Sequence, residues 1–238
     1  MTFEQLKIGQ LQFLQPKYGY RFSVDAVLLA DFIVAKPDER LIDLGTGAGI
    51  IPLLVSVLTP VREIVGLEIQ ERLVTLACEN VARNHLEQRI QFIHGDLRQA
   101  AQLFRAGEFD VLCSNPPYRK VGAGRMNPDQ EQAVARHEIA CQLGDLLAAC
   151  KYLVKPGGKV FLIYLPERLG ELLEQMSGYR LAPKRIRCVH ASAKTAAALV
   201  LVEAQRDAAP GLKILPPLFL YNQDHEYTDE AKRILQEA

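Results

Sequence analysis

The chain lacks net charge, because 28 basic residues balance 28 acidic ones. No overall field therefore draws it to nucleic acid or to a membrane, and any nucleic-acid contact must come from a local patch of cations. It also lacks a Cys-x-x-Cys pair, so neither a disulfide framework nor a zinc site is indicated. We expect its five cysteines to be mostly buried free thiols in a reducing cytoplasm: Cys78, Cys113, Cys141, Cys150 and Cys188.

Long apolar runs are absent as well. No stretch approaches the roughly 20 apolar residues that span a bilayer, and residues 1–12 lack the basic and apolar regions of a secretory signal. No internal repeat or low-complexity segment occurs. A chain of 238 residues that is 49% hydrophobic can bury a sizeable core. We therefore expect a soluble, cytoplasmic protein without membrane association.

Segments of strand and helix character alternate along the chain, which is typical of a parallel sheet. The prediction is an α/β fold with a doubly wound, mostly parallel seven-stranded sheet and helices on both faces. Residues 1–36 form an N-terminal extension ending in a helix, 37–206 the core, and 207–238 a tail packed on the core. The predicted strands cover residues 40–44, 63–67, 89–94, 109–113, 159–164, 180–190 and 197–204.

A glycine-rich turn follows the first predicted core strand, at residues 43–49, with the sequence Asp-Leu-Gly-Thr-Gly-Ala-Gly. A dinucleotide site has a different glycine spacing, and the leading acid, Asp43, would repel a pyrophosphate. An acid at this position suits a cationic amino-acid group instead. S-adenosylmethionine carries both an ammonium and a sulfonium, so it is the cofactor that this turn favours.

Two further acids end the next two strands. Glu68 is placed to accept hydrogen bonds from ribose hydroxyls, as the equivalent acid does in dinucleotide folds, and Asp96 to accept one from the adenine amino group. Either acid alone is equally well explained as a solvated strand end, but together with the glycine turn they indicate a cofactor site. The predicted cofactor contacts in the core are Asp43, Gly45, Thr46, Gly47, Gly49, Glu68, Ile69, Asp96, Leu97 and Asn115.

The fourth predicted core strand ends in Asn115, Pro116, Pro117 and Tyr118. Neither proline can donate to a sheet ladder, so the strand must end at about Ser114. The prolines also fix the backbone, which presents an amide, a carbonyl and a phenol ring in a pre-set geometry. Taken alone, this motif is equally well explained as an ordinary turn that ends a strand. Because it lies beyond a strand end in a sheet that also carries the glycine turn, it predicts a substrate site.

Taken together, residues 43–49 and 115–118 resemble class I S-adenosylmethionine-dependent N-methyltransferases of the Asn/Asp/Ser-Pro-Pro-Tyr type. The pattern Tyr-Arg-Phe-Ser-x-Asp-x-x-Leu-Leu at residues 20–29 and Arg-His-Glu at 136–138 resemble more specifically the bacterial tRNA(Val) adenine N6-methyltransferase family. The resemblance implies a Rossmann-like methyltransferase fold, S-adenosylmethionine as cofactor and tRNA as partner. It also implies that the cofactor's methionine end lies beside Phe22, Ser23 and Asp25; Ser23 and Asp25 are also candidate helix caps.

Within this resemblance, the Asn115 side-chain oxygen and the Pro116 carbonyl each accept one N–H of an adenine amino group, without a metal. Tyr118 stacks on the flipped base, and Pro117 keeps the tip rigid. RNA contact requires cations, and the predicted ones are Lys17, Arg21, Arg119, Lys120 and Arg125. Other basic candidates lie toward the C-terminus: Lys184, Arg185, Arg187 and Lys194.

Three other functions remain open at this point. The same tip can hold the amide of a protein glutamine, although release-factor methyltransferases usually carry a helical N-terminal domain and fewer than 45 residues precede the glycine turn here. Guanine in ribosomal RNA is a second possible acceptor, although that group often has a duplicated domain. A non-catalytic binding module is the third, and the intact Asp43, Glu68, Asp96 and Asn115 argue against it.

Overall fold

The structure is a computed structural model that describes residues 2–5, 8–15, 24–116 and 142–235. Its strands are β1 Thr2–Gln5, β2 Gln12–Gln15, β3 Arg40–Leu44, β4 Glu63–Glu68, β5 Ile90–His94, β6 Phe109–Ser114, β7 Val154–Tyr164, β8 Leu181–His190, β9 Ala197–Arg206, β10 Lys213–Ile214 and β11 Leu218–Phe219. Its α-helices are α1 Val24–Phe32, α2 Ile50–Leu58, α3 Glu71–Arg83, α4 Ala100–Leu103, α5 Leu143–Leu153, α6 Leu169–Gly178 and α7 Asp229–Leu235.

Strands β3 to β11 form one sheet, in the order β10-β8-β9-β7-β6-β3-β4-β5, with β11 also paired to β8. All pairs are parallel except β7 with β9 and β8 with β9. The chain runs outward from β3 through β4 to β5 and then returns to place β6 on the other side of β3. That reversal is a topological switch point, where α/β sheets bind ligands beyond the carboxyl ends of the strands.

Helices cover both faces of the sheet, which confirms the predicted fold class. One buried cluster joins the sheet to α1, α2 and α3, and the other joins it to α4, α5 and α6. Strand β6 shows why its sequence is apolar on both sides, since Val111 and Cys113 belong to the first cluster while Phe109 and Leu112 belong to the second. Burial on both faces replaces alternation with a continuous apolar run.

The structure differs from the predicted strands in two places. The tail contributes β10 and β11, two-residue strands that add to the predicted seven. Strand β7 begins at Val154 rather than at Lys159, because the predicted Lys-Pro-Gly-Gly turn is absorbed into the strand as an irregularity in its pairing with β6. Gly157 permits this with a φ of 79°.

The N-terminal segment forms an antiparallel hairpin, β1 with β2, as the strand-or-loop prediction for this segment allowed. Its Ile8, Leu11 and Phe13 join the cluster around α2 and α3, and Gly9 approaches Val57 of α2 closely. At the other end of the chain, α7 packs against α1 through Ile234 and the pair of Arg233 with Asp31. Both ends therefore pack on the face of the sheet that carries α1.

Candidate functional site

The predicted site residues of the core lie at the carboxyl ends of four neighbouring strands. Strands β3 and β6 are paired in a register that sets Leu44 opposite Ser114, whose hydroxyl donates to the Leu44 carbonyl at 2.7 Å. Gly45 and Asn115 are the first residues after the ends of these two strands. On the other side of β3, β4 ends at Glu68 and β5 at His94, just before Asp96. Asn115, the glycine turn, Glu68 and Asp96 thus follow one another along a single edge.

The glycine turn is shaped by hydrogen bonds from the neighbouring strand. The Leu67 carbonyl accepts from the backbone N–H groups of Gly45 and Thr46 at 2.9 and 3.1 Å. Glu68 then accepts from the Gly47 N–H at 3.0 Å through one carboxylate oxygen. Gly45, Gly47 and Gly49 all have positive φ, of 72°, 58° and 83°. A β-carbon at Gly45 would meet no atom of the described residues within 4 Å, so these residues leave space beside this part of the turn.

Asp43 is the most strongly perturbed acid beside this turn. Its side chain is fully buried, and its pKa is raised to about 7. Burial is the largest cause of this rise, and the charge of Glu68 adds to it. The nearby Cys113 thiol and Thr46 hydroxyl favour the charged form and lower the pKa, although the Thr46 Oγ1 makes no hydrogen bond among the described residues. Oδ1 of Asp43 lies 3.6 Å from the Cys113 Sγ, while Oδ2 is buried without a hydrogen-bond partner among the described residues.

An unpartnered buried carboxylate oxygen fits a cationic group, because a buried polar atom without a partner is costly and an opposite charge beside it restores the ionised form. The ammonium of the expected cofactor would meet that need. Sequence reasoning did not identify Cys113 as a partner of Asp43. The register of β3 with β6 sets Cys113 opposite Asp43, and residues paired across adjacent strands direct their side chains to the same face of the sheet.

Glu68 is 4% exposed, and its second carboxylate oxygen accepts from the Gln70 N–H at 2.9 Å. Each carboxylate oxygen has a further lone pair, so Glu68 retains the capacity to accept from ribose hydroxyls. Asp96 is half-buried and bound to its neighbour Arg98, whose side chain lowers the pKa of Asp96. It is therefore a charged acceptor, and its proposed bond to adenine would have to share the carboxylate with Arg98.

Apolar side chains accompany these acids. Ile69 follows Glu68 directly and is 40% exposed. Leu97 follows Asp96 and is half-buried. Both residues stand near the ends of two adjacent parallel strands, where an apolar surface would suit the face of a purine ring.

The structure places Asn115 and Pro116 directly after β6, both half-buried. The prediction that the strand ends at about Ser114 is confirmed. Asp25 lies in the first turn of α1, whose N-terminus stabilises negative charge. The remaining predicted site residues lie outside the described residues: Lys17, Arg21, Phe22, Ser23, Pro117, Tyr118, Arg119, Lys120 and Arg125.

Two of the C-terminal cations are paired within the fold. Arg185 pairs with Glu203 and lies over the Phe32 ring, and Arg187 pairs with Glu230 at 2.6 Å. Lys184 donates to the Ala209 carbonyl. Lys194 is exposed in the turn between β8 and β9, at the same edge of the sheet as the end of β7. Of these four cations, Lys194 is thus the one best placed to meet a substrate.

Other predictions about the chain are tested only in part. Within the described ranges, no helix is long and apolar enough to cross a membrane. The same ranges contain no group of three His, Cys, Asp or Glu side chains that could hold a metal ion. Cys113 and Cys150 are buried free thiols as expected, whereas Cys188 is half-buried and Cys78 is exposed on α3.

Comparison with known proteins is consistent with this geometry. The family described as "Methyltransferase small domain" matches residues 22–164. A protein of Aeromonas salmonicida named tRNA1(Val) (adenine(37)-N6)-methyltransferase is 33% identical over 173 residues, which are 72% of this chain and 69% of the relative. A protein of the same name from Tolumonas auensis is 28% identical over 240 residues, 100% of this chain and 89% of the relative.

Solved structures share the fold. A predicted O-methyltransferase of Agrobacterium tumefaciens superposes with a TM-score of 0.71 at 20% identity, over 89% of this chain and 95% of that one. TrmN of Thermus thermophilus gives a TM-score of 0.56 at 24% identity, over 76% of this chain and 48% of that one. At these identities the likeness concerns the fold alone.

Proposed function

Because the chain belongs to the methyltransferase small domain family, we propose that it transfers the methyl group of S-adenosylmethionine to N6 of an adenine in tRNA. The predicted family is confirmed by that match and by the relatives named tRNA1(Val) (adenine(37)-N6)-methyltransferase. The acceptor is proposed from those relatives' printed activity, and the roles of individual residues are proposed from their positions at the strand ends.

One observation carries the proposal, the pairing of Leu44 on β3 with Ser114 on β6. Because these two residues are opposite each other, the glycine turn and the Asn-Pro tip start side by side. Neighbouring strands in a sheet lie roughly 4.8 Å apart. A group held by Asn115 is therefore next to a group held by the turn at Gly45. This adjacency is what direct transfer between two bound molecules requires, because the reacting atoms must lie within about 3 to 3.5 Å.

The order of the strand ends also matches the order of the cofactor's parts. Asp43 and the glycine turn, on β3, meet the ammonium end. Glu68, on β4, accepts from the ribose hydroxyls, and Asp96 and Ile69 border the adenine. Asn115, on β6, lies on the side of β3 away from the ribose and adenine positions, where an acceptor base enters.

The chain's own residues then act by positioning. An adenine amino nitrogen is a poor nucleophile, because its lone pair is delocalised into the ring. In our proposal the Asn115 side-chain oxygen and the Pro116 carbonyl each accept one of its N–H groups, which aims the lone pair at the methyl. Orientation of this kind supplies roughly 7 to 11 kcal/mol of a barrier. When bound, the cofactor would supply a methyl group on a sulfonium, whose sulfur would leave as a neutral thioether, and the methylated nitrogen would release one N–H proton to solvent.

The test is transfer of labelled methyl from S-adenosylmethionine to tRNA, ribosomal RNA and total protein, followed by nucleoside analysis. We expect N6-methyladenosine in the tRNA fraction only. Label in protein alone would assign the enzyme to glutamine methylation, and methylated guanine in ribosomal RNA would assign it to the other rival.

The tip is tested by two variants of Asn115. Asn115→Ala should bind the cofactor normally yet lose roughly 100-fold or more in kcat, because mispositioning a reactant costs that much. Asn115→Asp keeps an acceptor oxygen at the same position, so it should retain more activity than the alanine variant. Normal turnover by Asn115→Ala would remove Asn115 from the mechanism.

A further inference from the structure

Asn80 is a buried amide on the otherwise apolar face of α3. It is fully buried, among Leu76, Ala77 and Val81 of the same helix. An amide removed from water is costly unless it is hydrogen-bonded, so its partners should account for its presence there. The sequence carried a signal for this position, because a polar residue interrupts the helical spacing of apolar ones.

The side chain of Asn80 makes three hydrogen bonds, which use both of its N–H groups. Its Oδ1 accepts from the Leu14 N–H at 2.7 Å, and its Nδ2 donates to the Leu14 carbonyl at 2.9 Å and to the Ala48 carbonyl at 3.0 Å. These partners also fix the orientation of the amide, because a flipped side chain would point its donors at the Leu14 N–H. Asn80 thus pairs with β2 as a neighbouring strand would, and its remaining N–H reaches the glycine turn.

Asn84, one helical turn further along α3, repeats only the first half of this arrangement. Its Oδ1 accepts from the Gln12 N–H at 2.9 Å, and its Nδ2 donates to the Gln12 carbonyl at 2.8 Å. Four residues of helix advance about 6 Å, which is close to the roughly 6.6 Å between alternate residues of a strand. Asn80 can therefore bond to Leu14 while Asn84 bonds to Gln12. The remaining N–H of Asn84 donates to the Asn80 backbone carbonyl at 2.7 Å, so Asn84 holds the hairpin and the end of α3 but makes no described bond to the turn.

Ala48 lies between Gly47 and Gly49 and is buried. The turn is therefore held from two directions, by Glu68 through the Gly47 N–H and by Asn80 through the Ala48 carbonyl. With three glycines at positive φ, this backbone has little side-chain packing of its own to fix it. The bond from Asn80 consequently helps to determine where the turn presents its backbone to a ligand.

We propose that Asn80 is a positioning residue that ties the N-terminal hairpin to the cofactor turn and thereby sets the affinity for S-adenosylmethionine. It acts through the Ala48 carbonyl and does not touch the cofactor. This inference rests on the proposed function for the identity of the cofactor, but it does not depend on the acceptor. The hairpin is then a support for the cofactor site as well as part of the buried core.

The experiment compares Asn80→Ala with Asn84→Ala as a matched control. Removing Asn80 leaves the Ala48 carbonyl without its donor, and we expect the Kd for S-adenosylmethionine, measured calorimetrically without RNA, to rise roughly tenfold or more. Its KM for the cofactor should rise in parallel, while kcat at saturating cofactor and KM for RNA stay within threefold. Asn84→Ala loosens the same hairpin but should bind the cofactor within about threefold of the parent.

Equal cofactor affinity in Asn80→Ala and the parent protein would overturn the proposal, as would an equal loss in both variants. If the parent protein fails to bind S-adenosylmethionine, the proposed function fails instead, which separates the two outcomes. If Asn80→Ala does not unfold cooperatively and so is not properly folded, hydrogen exchange of the parent protein tests the proposal instead. Saturating S-adenosylhomocysteine should then slow exchange in residues 11–15 as well as in 45–53, and protection confined to 45–53 would contradict the coupling.

Discussion

Asp43 makes cofactor binding depend on pH in a way that can be calculated. In the free protein burial raises its pKa to about 7, so the side chain is largely protonated below that pH. A cofactor ammonium beside Oδ2 favours the carboxylate, so binding at low pH releases a proton. Affinity should therefore rise with pH as long as the free side chain is protonated, and should level off above about pH 7.

The size of the effect follows from that pKa. If the ionised form alone binds, its fraction is about 3% at pH 5.5 and one half at pH 7.0, so affinity should increase about fifteenfold across this range. The cofactor's own amino group, with a pKa near 7.7 to 8.0, remains mostly protonated there. Calorimetric titration with S-adenosylmethionine at several pH values measures the slope, and the heat in buffers of different ionisation enthalpy reports the released proton.

Two controls isolate Asp43. Asp43→Asn is neutral and nearly isosteric, so it should bind more weakly at pH 7 but lose the slope. The affinity for 5′-methylthioadenosine, which has no amino-acid portion, should not rise with pH. A flat profile in the parent protein, or an unchanged slope in Asp43→Asn, would refute the assignment of Asp43 to the ammonium.

The same raised pKa has a consequence for stability without cofactor. The pKa of Asp43 is about 7 in the folded protein and 3.8 in the unfolded chain. Its contribution to the free energy of unfolding is therefore fully present below pH 3.8 and is lost as the pH rises through about 7. At pH 8 the cofactor-free parent protein carries an ionised buried carboxylate. The Tm of Asp43→Asn at pH 8 should therefore equal or exceed that of the parent protein.

Three further predictions concern the surroundings of the site. Gly45→Ala should weaken cofactor binding tenfold or more while lowering stability by only about 1–2 kcal/mol, because the left-handed conformation is strained but the new methyl enters open space; unchanged affinity by calorimetry would show that the ligand does not approach Gly45. Cys113→Ala removes a donor to Asp43, so the pH midpoint of cofactor affinity should move upward, and a midpoint that stays or falls would contradict the role of the thiol. Replacing Arg119, Lys120 and Arg125 with alanine should weaken tRNA binding and flatten its salt dependence while leaving cofactor affinity unchanged. An unaltered salt slope would exclude these residues from the RNA contact.

Much of the fold was predictable because its signals are local. The glycine spacing after β3 and the prolines after β6 fix backbone conformation within a few residues, and the apolar run of β6 reports burial on two faces. Strand β7 was predicted five residues too short because Lys155, Pro156 and the two glycines have the composition of a turn, and only pairing with β6 keeps them in the strand. The strands β10 and β11 depend likewise on an edge offered by β8.

The sequence by itself determined the methyltransferase class and the placement of functional groups at strand ends, since both depend on short motifs. Only the tertiary structure decided the order of those strand ends along the sheet, because it sets β6 beside β3. The tertiary structure likewise decided the state of Asp43, whose raised pKa arises from burial beneath the turn. It also decided the use of Asn80, which joins partners 66 and 32 residues away along the chain, and the pairing of Arg185 and Arg187 with acids of other elements. Burial and long-range contacts are properties of the packed chain, so no local pattern contains them.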